Sequence, residues 1–341
     1  MRSIGRTGLL TLTAISLTVV LVGSGIKVAQ AETSLRFGYV QAPESPTGRG
    51  VSQFAQLVSV YTGGSVKVEQ FPSSQLGGNR KLMGQVRSGA IDMSLSPYPI
   101  LADIVPEFSA YTAGYFYDNW SHVSKVVNHP ELGKAWDKQL EEKTGLIVLS
   151  SYYYGARTLT TTKTPVRSPQ DMNGLKIRAV PNPMSLAVIS GLGAAPTPVA
   201  FAELFQALRQ GVVDGQENPL PTIWATKFYE VQDYLVLTLH QTIPIPFIIN
   251  NKAWSKLSDQ EKAALSTAAK QATAWISVET IAEEAKLVDQ LKEKGMKVVG
   301  PEDGLDIEAF RKSVRASVLS KFDGEIWPSG LADKVLQVAH Q

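Results

Sequence analysis

Two arginines occupy positions where a guanidinium could bind an anion. Arg157 lies in residues 155–158 (GART), after an apolar and aromatic run, and Arg178 closes the strand-like segment Leu175–Arg178. A residue at the end of a buried strand points to the carboxyl edge of the sheet, where ligands bind in open α/β proteins. A planar guanidinium binds a carboxylate through two parallel hydrogen bonds. The alternative for each arginine is a salt bridge to a neighbouring acidic side chain.

Residues suited to catalysis or to metal binding are scarce. The chain has no cysteine, and its four histidines (His122, His129, His240 and His340) show no metal-ligand spacing. It contains neither a G-x-S-x-G nucleophile motif nor a G-x-x-x-x-G-K-[ST] phosphate loop. We therefore predict no catalytic residue, no metal site and no cofactor, and we expect a binding protein rather than an enzyme.

The first 31 residues have the pattern of a signal peptide. Arg2 and Arg6 precede an apolar run at residues 9–22, and residues 29–31 match the A-x-A cleavage pattern. The apolar run is too short to span a bilayer comfortably, so we expect cleavage and export to the periplasm. The alternative is a retained N-terminal anchor. Removing this basic segment leaves the rest of the chain close to electrical neutrality, which argues against a nucleic-acid partner.

Short strand-like runs alternate with amphipathic helical segments along the remaining chain, which is typical of an α/β protein. The strand-like segments are Leu35–Val40, Val66–Val68, Ile91–Leu95, Thr158–Thr162, Leu175–Ala179 and Tyr234–Leu239, and the helical segments are 47–62, 78–88, 182–190 and 200–210. The apolar segment Ile243–Asn250 contains two prolines and cannot be a helix. It suits a strand that crosses between two lobes.

The length of the chain exceeds that of one typical core and predicts two lobes. We place lobe I at residues 32–154 plus about 244–280, and lobe II at 155–243 plus about 281–341. Residues 258–294 contain neither Pro nor Gly, and Ser258 with Glu261 forms a capping box at their start. Such a helix would be roughly 55 Å long and would brace both lobes. The β-branched residues near 276–278 leave open a kink into two helices.

Several segments resemble, in order and spacing, the solute-binding proteins of TRAP transporters. They are FPSSQLG at 71–77, GAIDM at 89–93, GAR at 155–157, SPQDMNGLKIR at 168–178 and GVVDGQENP at 211–219. The similarity runs from about residue 34 to beyond residue 300. The resemblance implies an α/β, two-lobed periplasmic binding protein fold with crossing strands and a long bracing helix. It also implies that the protein closes around one small organic acid anion and delivers it to integral membrane permease subunits.

The resemblance assigns roles to individual residues. Arg178 matches the arginine that pairs with the substrate carboxylate, Arg157 matches a second cationic contact, and Asn218 matches an amide that hydrogen-bonds the same group. Glu203 and Asp214 are candidate acceptors that orient the arginines. We also place Gln41, Glu44, Ser96 and Tyr98 near the cleft, with Tyr153, Phe201 and Trp224 as candidate walls. Ordinary core packing is the alternative for each aromatic residue.

The segment around Asn218 has the composition of a loop. Gly211, Gly215 and Pro219 frame it, and we expect them to let its backbone approach a ligand. The identity of the acid stays open among C4-dicarboxylates, sialic or uronic acids, 2-hydroxy or 2-oxo acids, and apolar or aromatic acids. The alternative function is a sensory protein that presents its ligand to a membrane receptor, and a third class is a periplasmic enzyme on the same frame.

Overall fold

Strands and helices alternate along the chain in the computed structural model, which describes residues 33–341. The predicted signal peptide, residues 1–31, lies outside the described residues. The strands are β1 (Thr33–Gly38), β2 (Val66–Phe71), β3 (Met93–Leu95), β4 (Leu146–Thr161), β5 (Lys176–Ala179), β6 (Ala195–Pro198), β7 (Gly215–Pro219), β8 (Tyr234–Asn250) and β9 (Lys297–Val299). The α-helices are α1 (Pro46–Tyr61), α2 (Asn79–Ser88), α3 (Tyr98–Leu101), α4 (Trp120–Asn128), α5 (Gly133–Thr144), α6 (Pro183–Gly191), α7 (Leu204–Arg209), α8 (Leu220–Ala225), α9 (Asn251–Trp254), α10 (Asp259–Glu293), α11 (Ile307–Phe322) and α12 (Leu331–His340). None of these helices combines the length and the apolar character that a membrane span requires.

The nine strands of residues 33–341 form one mixed sheet in the order β2-β1-β3-β8-β4-β7-β5-β6, with β9 beside β8. Strands β4 and β8 are 16 and 17 residues long and run antiparallel. One end of β8 pairs with β3, and the other end of β4 pairs with β7. Both strands therefore cross between the half of the sheet formed by β2, β1 and β3 and the half formed by β7, β5 and β6. The α/β class with crossing strands is confirmed, and the predicted lobe boundaries fall inside β4 and β8.

Strand β8 corrects one prediction. The sequence predicts two strands, Tyr234–Leu239 and Ile243–Asn250, but the structure has one continuous strand. Pairing with β4 skips in β8 from Gln241 to Val236, and Leu239 has a φ of 42°. A bulge of this kind lets extra residues leave the ladder without ending the strand, so the two predicted segments stay in one ladder.

The long helix α10 begins where the sequence predicts. The Ser258 hydroxyl accepts a hydrogen bond from the Glu261 N–H (3.3 Å), and the Glu261 carboxylate accepts one from the Ser258 N–H (2.8 Å). The helix then continues for 35 residues, so the alternative of two helices is wrong. Ile276 at the suspected kink is fully buried, and Ser277 Oγ accepts a hydrogen bond from the Tyr153 N–H in β4 (2.9 Å). Packing therefore overrides the weak helix propensity of this turn.

Helix α10 contacts both halves of the sheet. Its first part belongs to the apolar cluster of α1 and β8, where Leu265 and Ile276 join Phe54 and Phe247. Its last turns carry Leu287 and Leu291 into a second cluster, which contains residues of α7 and α8. Burying apolar surface at both ends fixes the helix as a brace between the two halves, as the sequence predicts.

A buried carboxyl links α10 to β4. Glu284 accepts hydrogen bonds from the Tyr153 hydroxyl (2.9 Å) and from the Ala156 N–H (2.8 Å). Burial raises the pKa of Glu284 to about 7, and the two hydrogen bonds only partly oppose it. The folded protein therefore holds this proton at pH values where the unfolded chain, with the ordinary value of 4.5, releases it. This group therefore lowers the free energy of unfolding as the pH rises from 4.5 to about 7.

We expect Glu284→Gln to remove this pH dependence. The wild-type protein should lose about 1–2 kcal/mol of unfolding free energy between pH 5 and pH 8 through this group, which allows for its partial exposure. The variant keeps a hydrogen-bonding side chain without a charge, so its profile should be flatter by that amount. Urea unfolding across this pH range measures the difference. Glu283→Gln is the control, because that carboxylate pairs at the surface with Arg49 (2.7 Å); an equal flattening there would contradict the assignment.

Candidate ligand-binding site

Three neighbouring strands bring the predicted anion-binding residues together. In the pairing of β4 with β7, Arg157 lies opposite Pro219 and Thr158 opposite Asn218. Strand β5 pairs with β7 on its other side, and Arg178 lies in β5. All three side chains line one cavity of about 80 Å³, which we call the arginine cavity. The arrangement follows from the strand order, because β4, β7 and β5 are adjacent in the sheet.

The arginine cavity adjoins a second cavity of about 350 Å³, and the two share Val40, Gln41, Tyr154 and Phe201 as walls. The arginine cavity is otherwise lined by apolar residues and by uncharged polar ones. The uncharged polar residues, besides Asn218, are Gln41, Asn79, Thr112, Asn182, Ser185 and Gln241. A concave, largely apolar site with a few converging polar groups is typical of a small-molecule site.

Arg157 has a protein counter-ion. Its Nη2 donates to Glu217 Oε1 (2.8 Å), and its Nε donates to Glu217 Oε2. Burial alone would raise the pKa of Glu217, but Arg157 and His240 outweigh burial and hold that pKa well below its usual range. His240 Nε2 lies 3.5 Å from Glu217 Oε2, and burial lowers the pKa of His240. The Arg157 charge is therefore compensated within the protein.

Arg178 has no such partner. It is only 2% exposed, and its Nε donates to the carbonyl of Val199 (2.9 Å). Within residues 33–341 no protein atom accepts a hydrogen bond from its two terminal nitrogens. Burial, helped by the nearby charge of Arg157, lowers the pKa of Arg178 to about 10, so the side chain stays charged at neutral pH. A buried charge without a counter-ion is unfavourable, and an anion in the arginine cavity would supply the missing partner.

Amide groups complete the wall of the arginine cavity. Asn218 donates one N–H to Gln216 Oε1 (2.5 Å) and retains a second N–H. Gln41 Oε1 and Asn79 Oδ1 are both inaccessible to solvent and have no hydrogen-bond donor among the described residues. The cavity wall therefore combines two guanidinium groups with several amide side chains, which can donate and accept hydrogen bonds.

Comparison with known proteins identifies the family. The family model described as DctP, bacterial extracellular solute-binding protein, family 7, matches residues 37–324. The chain belongs to this family. The 2,3-diketo-L-gulonate-binding periplasmic protein YiaO of Escherichia coli (strain K12) is 32% identical over 302 residues, which cover 88% of this chain and 90% of that protein. The resemblance to TRAP solute-binding proteins is thereby confirmed.

Solved structures of the family share the fold. A TRAP periplasmic solute-binding protein from Polaromonas sp. JS666, bound to D-erythronate, has a TM-score of 0.83 and 35% identity, and the match covers 90% of this chain and 98% of that one. The sugar acid binding protein DctPAm from Advenella mimigardefordensis, in complex with galactonate, has a TM-score of 0.83 and 33% identity, and the match covers 91% and 98%. These family 7 relatives are solute-binding proteins and not enzymes.

The other predicted site residues divide into two groups. Gln41 and Phe201 line the arginine cavity and the adjoining cavity. Ser96 and Tyr98 line neither of them. Ser96 is fully buried against Ser94 (3.0 Å between hydroxyl oxygens), and the Tyr98 hydroxyl bonds to Ser151 (2.8 Å) inside the core. We therefore leave Ser96 and Tyr98 out of the proposed site. Pro97 and Pro99, on either side of Tyr98, do line the arginine cavity.

Tyr153, Trp224 and Glu44 also lie away from the arginines. Tyr153 faces α10, whereas its neighbour Tyr154 lines the arginine cavity, because successive residues of a strand point to opposite faces. Trp224 and Glu44 line a separate surface cavity of about 430 Å³. The Trp224 ring there lies 5.7 Å from the Lys294 ammonium group. None of the three residues belongs to the proposed site.

The acceptor for Arg157 differs from the prediction. Neither Glu203 nor Asp214 pairs with an arginine of the cavity: Glu203 is exposed, and the Asp214 carboxylate accepts the Lys176 N–H (2.8 Å). Glu217 has this role, and only the pairing of β7 with β4 brings it beside Arg157.

The expected loop around Asn218 is strand β7. Gly215 serves the strand pairing instead of approaching a ligand, because a Cβ there would lie 2.2 Å from the Thr160 carbonyl oxygen. Residues 215–219 are all buried, so their polar side chains face other strands or the arginine cavity. The turn-forming composition of GVVDGQENP therefore misled the prediction of local structure. Asn218 nevertheless lines the arginine cavity, beside the two arginines with which the resemblance groups it.

Proposed function

We propose that this protein captures a small carboxylate in the periplasm and delivers it to the membrane permease of a TRAP transporter. The observation that carries the proposal is the buried guanidinium of Arg178, which lines the arginine cavity and whose terminal nitrogens have no acceptor within residues 33–341. One carboxylate can accept two parallel hydrogen bonds from it. Arg157 and the free N–H of Asn218 border the same cavity and add donors around the bound group.

The proposed ligand is a hydroxylated, sugar-derived acid. The wall of the arginine cavity includes the amide side chains of Gln41, Asn79 and Asn182, each of which can donate and accept hydrogen bonds. Hydroxyl groups on a ligand can pair with such amides, whereas an aliphatic or aromatic chain cannot. Three relatives bind acids of this class, namely 2,3-diketo-L-gulonate, D-erythronate and galactonate, whereas another has bound succinate.

Delivery to a permease and location in the periplasm rest on the family and on the predicted signal peptide. YiaO is a periplasmic protein, and the Polaromonas protein is a TRAP periplasmic solute-binding protein. Cleavage after residue 31 would release the protein into the periplasm. Mass spectrometry of the protein secreted into the periplasm should give a chain that begins at Glu32.

Thermal unfolding against an acid library tests the proposal. A ligand at a hundred times its dissociation constant stabilises the folded state by about 2.7 kcal/mol, which gives a clear rise in Tm. We expect aldonic acids such as erythronate and galactonate to raise the Tm, and the corresponding uncharged sugars to leave it unchanged. Stabilisation by the uncharged sugars, or by no acid at all, would contradict a carboxylate-binding function.

A further inference from the structure

A second cluster of polar side chains lies outside the arginine cavity, where α4 meets α12. It contains Asp118, which precedes α4, His122 in the first turn of α4, and His340, the last residue of α12. One ligand atom from each residue can be chosen so that all three lie within 4.8 Å of one another. The Nδ1 atoms of His122 and His340 lie 3.6 and 3.7 Å from Asp118 Oδ2. Ligands of a tetrahedral zinc ion, at about 2.0–2.1 Å from the metal, are roughly 3.3–3.5 Å apart, so only small side-chain rotations separate this cluster from a coordination shell.

The hydrogen bonds around the cluster leave its nitrogen lone pairs available. His340 Nε2 lies 3.0 Å from the carbonyl oxygen of Phe116. A carbonyl oxygen can only accept, so Nε2 carries a proton, and in the neutral imidazole Nδ1 is then an acceptor that faces Asp118. His122 Nδ1 is inaccessible to solvent and has no hydrogen-bond partner among residues 33–341. His340 thus has the arrangement of a metal-binding histidine, in which the second ring nitrogen donates to a carbonyl or a carboxylate.

The two carboxylate oxygens of Asp118 face different groups. Its Oδ1 accepts a hydrogen bond from Arg311 (3.3 Å), and its Oδ2 faces the two imidazoles. Arg311 also bonds to Glu308 (3.1 Å) and lies over the Tyr115 ring, so its charge is shared among several groups. Arg311 holds the carboxylate in place, and its positive charge reduces the affinity for a cation without filling the position between the imidazoles.

We infer that Asp118, His122 and His340 form a zinc-binding site with an open fourth position for water. Two imidazole nitrogens and one carboxylate oxygen suit Zn²⁺, whereas Mg²⁺ and Ca²⁺ prefer oxygen ligands alone. The bound ion would tie the end of α12 to the start of α4, two helices that pack against each other. Spacing in the sequence could not show this site, because His122 and His340 lie far apart in the sequence.

Calorimetric titration with Zn²⁺ alone tests the site, using protein that carries no affinity tag and has been freed of metal by a chelator. We expect one ion per chain, and an affinity at least about 100-fold weaker in His122→Ala and in His340→Ala, since even the loss of an outer-shell partner weakens binding 10–100-fold. His129→Gln is the matched control, because His129 lies at the other end of α4 and outside the cluster. It should bind Zn²⁺ like the wild type. Substitution by Co²⁺ should give the visible absorption of a four-coordinate site, and both histidine variants should lack it.

Two results would overturn the inference: no stoichiometric zinc binding by the wild type, or equal binding by the wild type and both histidine variants. If His340→Ala disturbs the packing of α12, Asp118→Asn decides the question, because Asp118 is exposed and lies outside both helices. The His340→Ala variant should bind the organic acid with the same affinity as the wild type. Failure of the zinc site would therefore not affect the carboxylate-binding proposal, and each can fail on its own.

Discussion

Replacing Arg178 with alanine is expected to abolish measurable ligand binding while the protein stays folded. Among residues 33–341 the terminal nitrogens of the buried Arg178 have no acceptor, and in our proposal the ligand carboxylate supplies the counter-ion. Removing one partner of a desolvated charge pair costs about 3–5 kcal/mol, which is roughly two to four decades in dissociation constant. Titration calorimetry with the aldonic acid that raises the Tm most measures this loss.

Two further variants separate the geometry of Arg178 from its charge. Arg178→Lys should also bind poorly, because lysine keeps the charge but cannot form two parallel hydrogen bonds with one carboxylate. Arg209→Ala is the matched control, since Arg209 is exposed at the end of α7, and it should bind like the wild type. A folded Arg178→Ala protein with wild-type affinity would refute the role assigned to this residue.

The second large effect is expected at Glu217. Glu217→Gln keeps the size of the side chain but leaves Arg157 buried without a counter-ion and close to the positive charge of Arg178. Breaking a buried pair in this way destabilises a protein by about 3–5 kcal/mol. We expect a corresponding fall in the free energy of unfolding, measured by urea denaturation without ligand. The variant should regain part of this loss when the acid is added, because the ligand carboxylate then compensates the extra charge.

Glu203→Gln is the control for Glu217, because Glu203 is an acidic residue of the same part of the chain but is exposed. Its free energy of unfolding should stay within about 0.5 kcal/mol of the wild type. Equal effects of the two substitutions would mean that the buried pair does not distinguish Glu217 from an ordinary surface carboxylate.

The sequence predicts well what depends on local pattern. The α10 helix is predicted from its capping box and from a long stretch without Pro or Gly. The two arginines are found because Arg157 follows an apolar, aromatic run and Arg178 closes a strand-like segment. The partner of Arg157 cannot be predicted from local pattern. Its identity depends on the register of β7 against β4, which places Glu217 rather than Glu203 or Asp214 beside the guanidinium. A register is a property of pairs of segments, so no single segment reveals it.

Aromatic residues show a second limit. Tyr153 and Tyr154 are equally plausible walls in the sequence, and alternation along β4 decides that only Tyr154 reaches the arginine cavity. The pairing irregularity between Tyr153 and Gly155 then resets the alternation, so that Tyr154 and Arg157 share one cavity although they are three positions apart. Bulges of this kind leave little trace in the sequence, and counting by twos along the strand would therefore have placed the wrong tyrosine in the cavity.

The Arg157–Glu217 pair also has a consequence for the net charge of the proposed ligand. Of the side chains that line the arginine cavity and the adjoining cavity, only Arg157 and Arg178 are charged, and Glu217 already cancels the first. The lining of the two cavities thus carries one net positive charge, which a monoanion would neutralise. A dianion such as succinate would introduce an uncompensated negative charge into a poorly solvated interior. Aldonates should accordingly outcompete dicarboxylates of the same length, through electrical balance as much as through shape.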